Sequence, residues 1–184
     1  MTKRMLCCCS LLGCLLGGLA PARAQSPESA TGADQHFTVG GFVNATYLDY
    51  GQHWIGGAGG SFDANFSWRL GVEGEANFTF YREQANTHAT TWLVGPRYQF
   101  GALGRSYGYR PYVKYLVGDG QFNFPYNFAR GSYFVMAPGA GMDYRLNDRW
   151  RLRLVDLEFQ YWPEFTFGAT STYQLTTGIR YNVF

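Results

Sequence analysis

From residue 37 onward the chain alternates apolar and polar positions one for one. The stretch LGVEGEANFTF is the clearest case: Leu70, Val72, Gly74, Ala76, Phe78 and Phe80 fall on one side, and Gly71, Glu73, Glu75, Asn77 and Thr79 on the other. A period of two predicts a β-strand with two unlike faces. Eight such segments, each of about ten residues, lie near 37–47, 57–66, 70–80, 90–100, 110–118, 133–146, 151–162 and 172–183. None has helical periodicity. The links near 67–69 and 147–150 are tight, and those near 48–56, 81–89, 119–132 and 163–171 are longer. Link 101–109 is of middle length.

The apolar faces are bulky. They carry Phe62 and Phe66 on the second segment, Trp92, Val94 and Tyr98 on the fourth, Val113, Tyr115 and Val117 on the fifth, and Phe134, Met136, Met142 and Tyr144 on the sixth. The opposite faces carry charged and amide side chains together with many glycines, such as Gly40, Gly95, Gly118, Gly139, Gly141 and Gly178. The seventh segment changes phase. Arg151 and Arg153 share one face, Asp156, Glu158 and Gln160 the other, and a β-bulge at Leu154–Val155 restores all five to one side.

Which face meets water follows from volume and glycine. An eight-stranded barrel is just wide enough for side chains to fill, so an interior of Phe, Tyr, Trp and Met would be crowded. A solvated polar face has no use for so many glycines, whereas a narrow lumen holding arginines and glutamates needs small neighbours. Tyr47, Phe80, Trp92, Phe100, Tyr144, Trp150, Tyr161 and Trp162 fall near segment ends, as in aromatic girdles at two membrane interfaces. The expectation is an all-β fold, an eight-stranded antiparallel up-and-down transmembrane β-barrel, with Glu73 and Glu75 facing inward. Closure satisfies every backbone group in lipid.

The first residues change the picture of where the chain goes. MTKR, an apolar run from Met5 to Ala20 and the A-x-A site Ala22-Arg23-Ala24 read as a secretory signal peptide, residues 1–24. Leu11-Leu12-Gly13-Cys14 resembles a lipobox but sits early in the apolar run. Residues 25–36 are small and polar and read as a flexible tail, leaving 37–184 for the barrel. All four cysteines lie in the leader, so the rest offers no disulfide, thiolate metal site or catalytic Cys. Without Lys3, Arg4 and Arg23, the 15 basic residues become twelve against 13 acids. Lys114 is the one lysine among them, unlike a soluble surface. Nothing suggests nucleic acid.

The stretches 56–78, 92–100 (WLVGPRYQF), 110–118 (RPYVKYLVG), 137–146 (APGAGMDYRL) and 151–163 (RLRLVDLEFQYWP) resemble the eight-stranded outer-membrane protein A/X-like barrels. The resemblance spans residues 37–184. It implies residence in the bacterial outer membrane, contact with its lipid, and a last strand, GIRYNVF (178–184), read by the barrel-assembly machinery. Asn182 stands where that signature usually has an aromatic residue.

The expected lumen carries the acids Asp63, Glu73, Glu75, Asp143, Asp156 and Glu158 and the bases Arg97, Arg110, Lys114, Arg145, Arg151, Arg153 and Arg180. Near balance favours a salt-bridged plug, since buried charges must be paired. A selective pore usually shows a ring of one sign. Glu73 and Glu75 are expected to pair with Arg97 and neighbouring arginines on the third to fifth segments. No catalytic set, cofactor motif or metal-ligand spacing emerges: His53 and His88 lie in links, and the His and Ser two apart that lipid A deacylase barrels use is missing. Stretch 119–132 (DGQFNFPYNFARGS) either contacts an external partner or extends the strands beside it. The functional expectation is a non-enzymatic barrel with a structural or surface-interaction role. A narrow porin, or a soluble periplasmic barrel with inverted faces binding a small apolar ligand, stands as the alternative.

Overall fold

The computed structural model describes residues 37–48, 53–67, 69–80, 88–103, 108–123, 130–165 and 168–183. The leader and tail expected at 1–36 lie outside them, as does Phe184. Eight strands follow in chain order: β1 (Phe37–Leu48), β2 (His53–Asn65), β3 (Leu70–Phe80), β4 (His88–Gln99), β5 (Tyr109–Asn123), β6 (Arg130–Arg145), β7 (Trp150–Trp162) and β8 (Thr170–Asn182). Each pairs antiparallel with the next, and β8 closes on β1 from Thr38↔Asn182 to Leu48↔Thr172. The result is a closed up-and-down barrel, as the alternation predicts.

The strands are longer than the pattern suggested, most of all at three places, and β4 and β8 also begin two residues early, which puts His88 in strand rather than in a link. β2 begins at His53, β5 runs on to Asn123 and β6 starts at Arg130. Asp119 to Asn123 and Arg130 to Ser132, expected within a link, are therefore paired strand. Residues 124–129, with Phe124, Tyr126 and Phe128, lie outside the described residues.

Two connections at one end are short and locally specified. After β2, the Phe66 and Ser67 amides both donate to the Leu70 carbonyl. After β6, Asn147 Oδ1 accepts from the Arg149 amide (2.9 Å) and the Trp150 amide (2.7 Å), the side-chain turn that Asn favours. At the opposite end, the β7–β8 link turns at Phe165–Gly168 through an amide-to-carbonyl bond of 2.9 Å. Gly168 has φ +103°, a conformation that favours glycine.

The apolar faces point outward. Val43, Trp54, Phe62, Trp92, Leu157 and Tyr173 are among the exposed large side chains. Aromatic pairs mark both ends of this surface: Tyr47–Trp54 and Phe159–Tyr173 toward the long links, Tyr109–Tyr144 and Trp150–Tyr181 toward the short turns. Trp162 departs from the expectation. It is buried inside the barrel, because it shares the phase of Glu158 and Gln160. The β7 register breaks between Arg153 and Asp156, with Leu154 and Val155 both exposed, so the bulge falls where the phase changes.

Candidate functional site

The lumen is the site, and alternation builds it in tiers. Through the middle of the barrel and toward the short turns, β2 contributes Asp63, β3 Glu73 and Glu75, β4 Arg97, β5 Lys114, β6 Asp143, β7 Arg153, Asp156 and Glu158, and β8 Arg180, all buried. Asp63 lies directly opposite Glu73 in the ladder, a like-charge pairing that is unfavourable unless cations intervene. Arg97 supplies one, donating to Asp63 (3.0 Å), Glu73 (3.2 Å) and Asp143 (2.6 Å). Arg180 donates to Asp143 (2.7 Å) and pairs with Asp63. Lys114 Nζ sits 2.9 Å from Glu75, 2.7 Å from Asp156 and 2.9 Å from Glu158.

Arg153 joins the two groups. It reaches Glu75 (2.6 Å) and Asp156 (3.1 Å) with one nitrogen and Glu73 with the other. The expected partnership of Glu73 with Arg97 is present, but Glu75 pairs with Lys114 and Arg153 instead. Arg153 comes from β7, across the lumen rather than from β3 to β5, because a barrel this narrow lets one guanidinium span its width. The carboxylates of Glu73, Glu75 and Asp156 approach one another within 4.8 Å. Ammonium and guanidinium groups supply the countercharge that a metal ion would supply elsewhere.

The other expected lumen residues sit toward the short-turn rim. Arg151 is buried on β7, opposite Arg180 in the ladder, and Arg110 is half-buried opposite Asp143. Arg145 stands apart from the buried cluster, half-exposed and paired with exposed Asp148 of the turn. Above the charges lies an amide tier. Gln160 donates to Glu158 (2.7 Å) and Gln174 (3.3 Å), and Gln174 and Asn44 both donate to Asn77 (3.1 Å each).

No family model matches the sequence, and no curated protein matches it. Solved structures do. Neisserial surface protein A aligns over 80% of this chain and 97% of its own, at 10% identity and TM-score 0.68. The N-terminal β-barrel domain of Pseudomonas aeruginosa OprF aligns over 79% and 98%, at 18% identity and TM-score 0.53. The outer membrane protein OprG of the same species aligns over 79% and 94%, at 15% identity and TM-score 0.52. The fold is that of the small outer-membrane barrels.

Within this outer-membrane-type barrel, sequence reasoning missed the apolar part of the lumen. Leu93, Leu116, Val135, Ala137 and Trp162 form a buried cluster toward the long links, with Tyr133 and Phe165 packed against it. Tyr112 is also buried, its ring 3.7 Å from the Arg97 guanidinium. The signal was present in the phase: Leu93 lies four residues from Arg97, Leu116 two from Lys114 and Trp162 two from Gln160. The lumen glycines make room for these groups. A Cβ on Gly120 would meet the Trp162 ring, and one on Gly141 would lie 2.5 Å from the Tyr112 hydroxyl.

Proposed function

We propose that this protein is an integral outer-membrane barrel whose lumen is closed by its own charges and whose role is structural or surface-interacting. The observation that carries the reading is the cross-lumen link of Arg153 and Arg97 to five carboxylates on β2, β3, β6 and β7, with side chains at most 4% exposed. Paired charges packed this tightly leave no continuous water path for ions. The outward face supports the membrane reading. Strands of 11 to 16 residues, rising ~3.3 Å per residue at a tilt of about 40°, span roughly 28–40 Å, enough for an apolar band of about 25 Å.

The partners in this reading are outer-membrane lipid around the belt and the assembly machinery during insertion. The long-link end and the β5–β6 extension form the surface offered to external molecules. The role includes no catalysis, and residues 37–184 contain no His and Ser two apart.

The test is planar-bilayer recording of the refolded chain, after a heat-dependent gel shift shows that the barrel is folded. Silence is expected. Discrete, reproducible conductance steps would overturn the closed lumen and make the protein a narrow porin. Recovery of the exported chain in a detergent-free soluble fraction would overturn the membrane reading itself.

A further inference from the structure

Above the amide tier the lumen holds a cavity of about 50 Å³ that opens toward the long links. At roughly 10–15 Å³ per water-sized group, it has room for about four. Its apolar walls are mainly Ile55, Phe122, Trp162 and Phe165, with threonines between them and Gln160 and Gln174 at its base, and no charged side chain lines it among the described residues. Phe165, whose carbonyl accepts from the Gly168 amide, lines the long-link end of the cavity and packs edge-on against Phe122 (5.6 Å between centroids) and Trp162 (6.3 Å). The cavity is thus apolar, capped by rings, and separated from the charges by amides.

Its walls also hold unused hydrogen-bonding capacity. Trp162 Nε1, Thr91 Oγ1 and Thr172 Oγ1 are buried and have no hydrogen-bond partner among the described residues. Buried polar groups are normally satisfied, so these three mark where a molecule in the cavity would be hydrogen-bonded. We propose that the cavity binds a small uncharged molecule with an apolar body and a carbonyl-type oxygen, which accepts from the Trp162 indole N–H or a threonine hydroxyl. Charged solutes are excluded by the apolar walls. Larger ones are excluded by the volume, and entry is from the long-link end.

The probe is acetone, which has four heavy atoms and partitions weakly into micelles. Its binding is followed on the full chain refolded in detergent, through the indole N–H signals of ¹⁵N-labelled tryptophan. The Trp162 signal is assigned by its loss in Trp162→Phe. A saturable shift confined to Trp162 at millimolar ketone is expected. Thr91→Val keeps the shape and removes one hydroxyl, and should weaken binding up to about tenfold, the value of one hydrogen bond. Ala89→Phe fills the cavity from β4 and should abolish the shift while the heat-dependent gel shift persists. A response that rises linearly with ketone, moves all tryptophans alike or survives Ala89→Phe is partitioning into the micelle and overturns the proposal. Because none of these readouts involves ions, the result is independent of whether the lumen conducts.

Discussion

Arg153→Met is the sharpest perturbation of the charge network. Arg153 contacts Glu73, Glu75 and Asp156, and it is the only residue among the described ion pairs that joins the Arg97–Arg180 group to the Lys114 group. Without it, Glu73 keeps Arg97 at 3.2 Å, but Glu75, Asp156 and Glu158 are left to Lys114 alone. Like charges at 4.8 Å repel by roughly 3.5 kcal/mol per pair at an effective dielectric of about 20. Water entry and side-chain movement relieve part of this, and the retained contacts relieve more, so the expected net loss is about 3–5 kcal/mol. Adding Glu75→Gln removes one uncompensated charge and should return about 2 kcal/mol, a coupling that a double-mutant cycle isolates. The assay is urea unfolding of the barrel in lipid vesicles, read by tryptophan fluorescence. A loss below ~1 kcal/mol for Arg153→Met, or no recovery with Glu75→Gln, would refute the network as a source of stability.

The remaining expectations concern packing and the outer face. Gly141→Ala should destabilise by about 1–3 kcal/mol through overpacking, because its Cβ would meet the Tyr112 hydroxyl at 2.5 Å and the Val155 carbonyl at 2.6 Å. Gly41→Ala, whose Cβ finds its nearest neighbour at 3.9 Å, should be neutral or slightly stabilising in the same unfolding assay. Leu157, exposed at the middle of β7 opposite Leu175, should as Leu157→Arg cost about 2–4 kcal/mol in a bilayer. The same substitution should cost far less in a detergent that wets the belt, and equal costs in both would argue against a lipid-facing position.

Much of the fold was legible because one rule, a period of two, governs nearly every residue of the eight strands. It placed Glu73 and Glu75 inward, Trp92 and Val113 outward, and the phase change at Leu154–Val155. The strand ends were less legible. The glycine-flanked start of β2 at His53 and GDGQFN at the end of β5 give a weak strand pattern, and their pairing is imposed by the neighbouring ladders, from Leu48↔His53 and as far as Asn123↔Arg130. Which charges meet was only half legible. Alternation says that Arg153 faces inward, but its partners on β3 depend on the lumen's width, which no local pattern encodes. Trp162 was misplaced for a different reason: aromatic residues near strand ends suggest a girdle, yet phase outranks position, and its phase is that of Glu158 and Gln160.

The bulge in β7 shows how closely the network depends on that phase. Without it, either Arg151 and Arg153 or Asp156, Glu158 and Gln160 would face outward, and Glu73, Glu75 or Lys114 would lose buried partners at about 3–5 kcal/mol. Interrupting one ladder step costs about 1 kcal/mol, and Thr177 Oγ1 offsets part of it by donating to the Arg153 carbonyl at 3.0 Å. The bulge is therefore the smaller cost. It also brings Arg153 and Asp156 within 3.1 Å although they are three residues apart, a spacing that puts side chains on opposite faces of a regular strand. Leu154 is the extra residue: Val155 pairs with Met142 and Arg153 with Asp143 on β6, and Arg153 and Asp156 keep Gly178 and Thr176 on β8. Deleting Leu154 should leave a regular ladder with every charge still inside, folded and within ~1 kcal/mol of the parent stability. Deleting Phe159 instead turns Gln160 and Trp162 outward and should cost several kcal/mol. Equal damage from the two deletions in the vesicle unfolding assay would mean that the bulge has a structural role beyond restoring the phase.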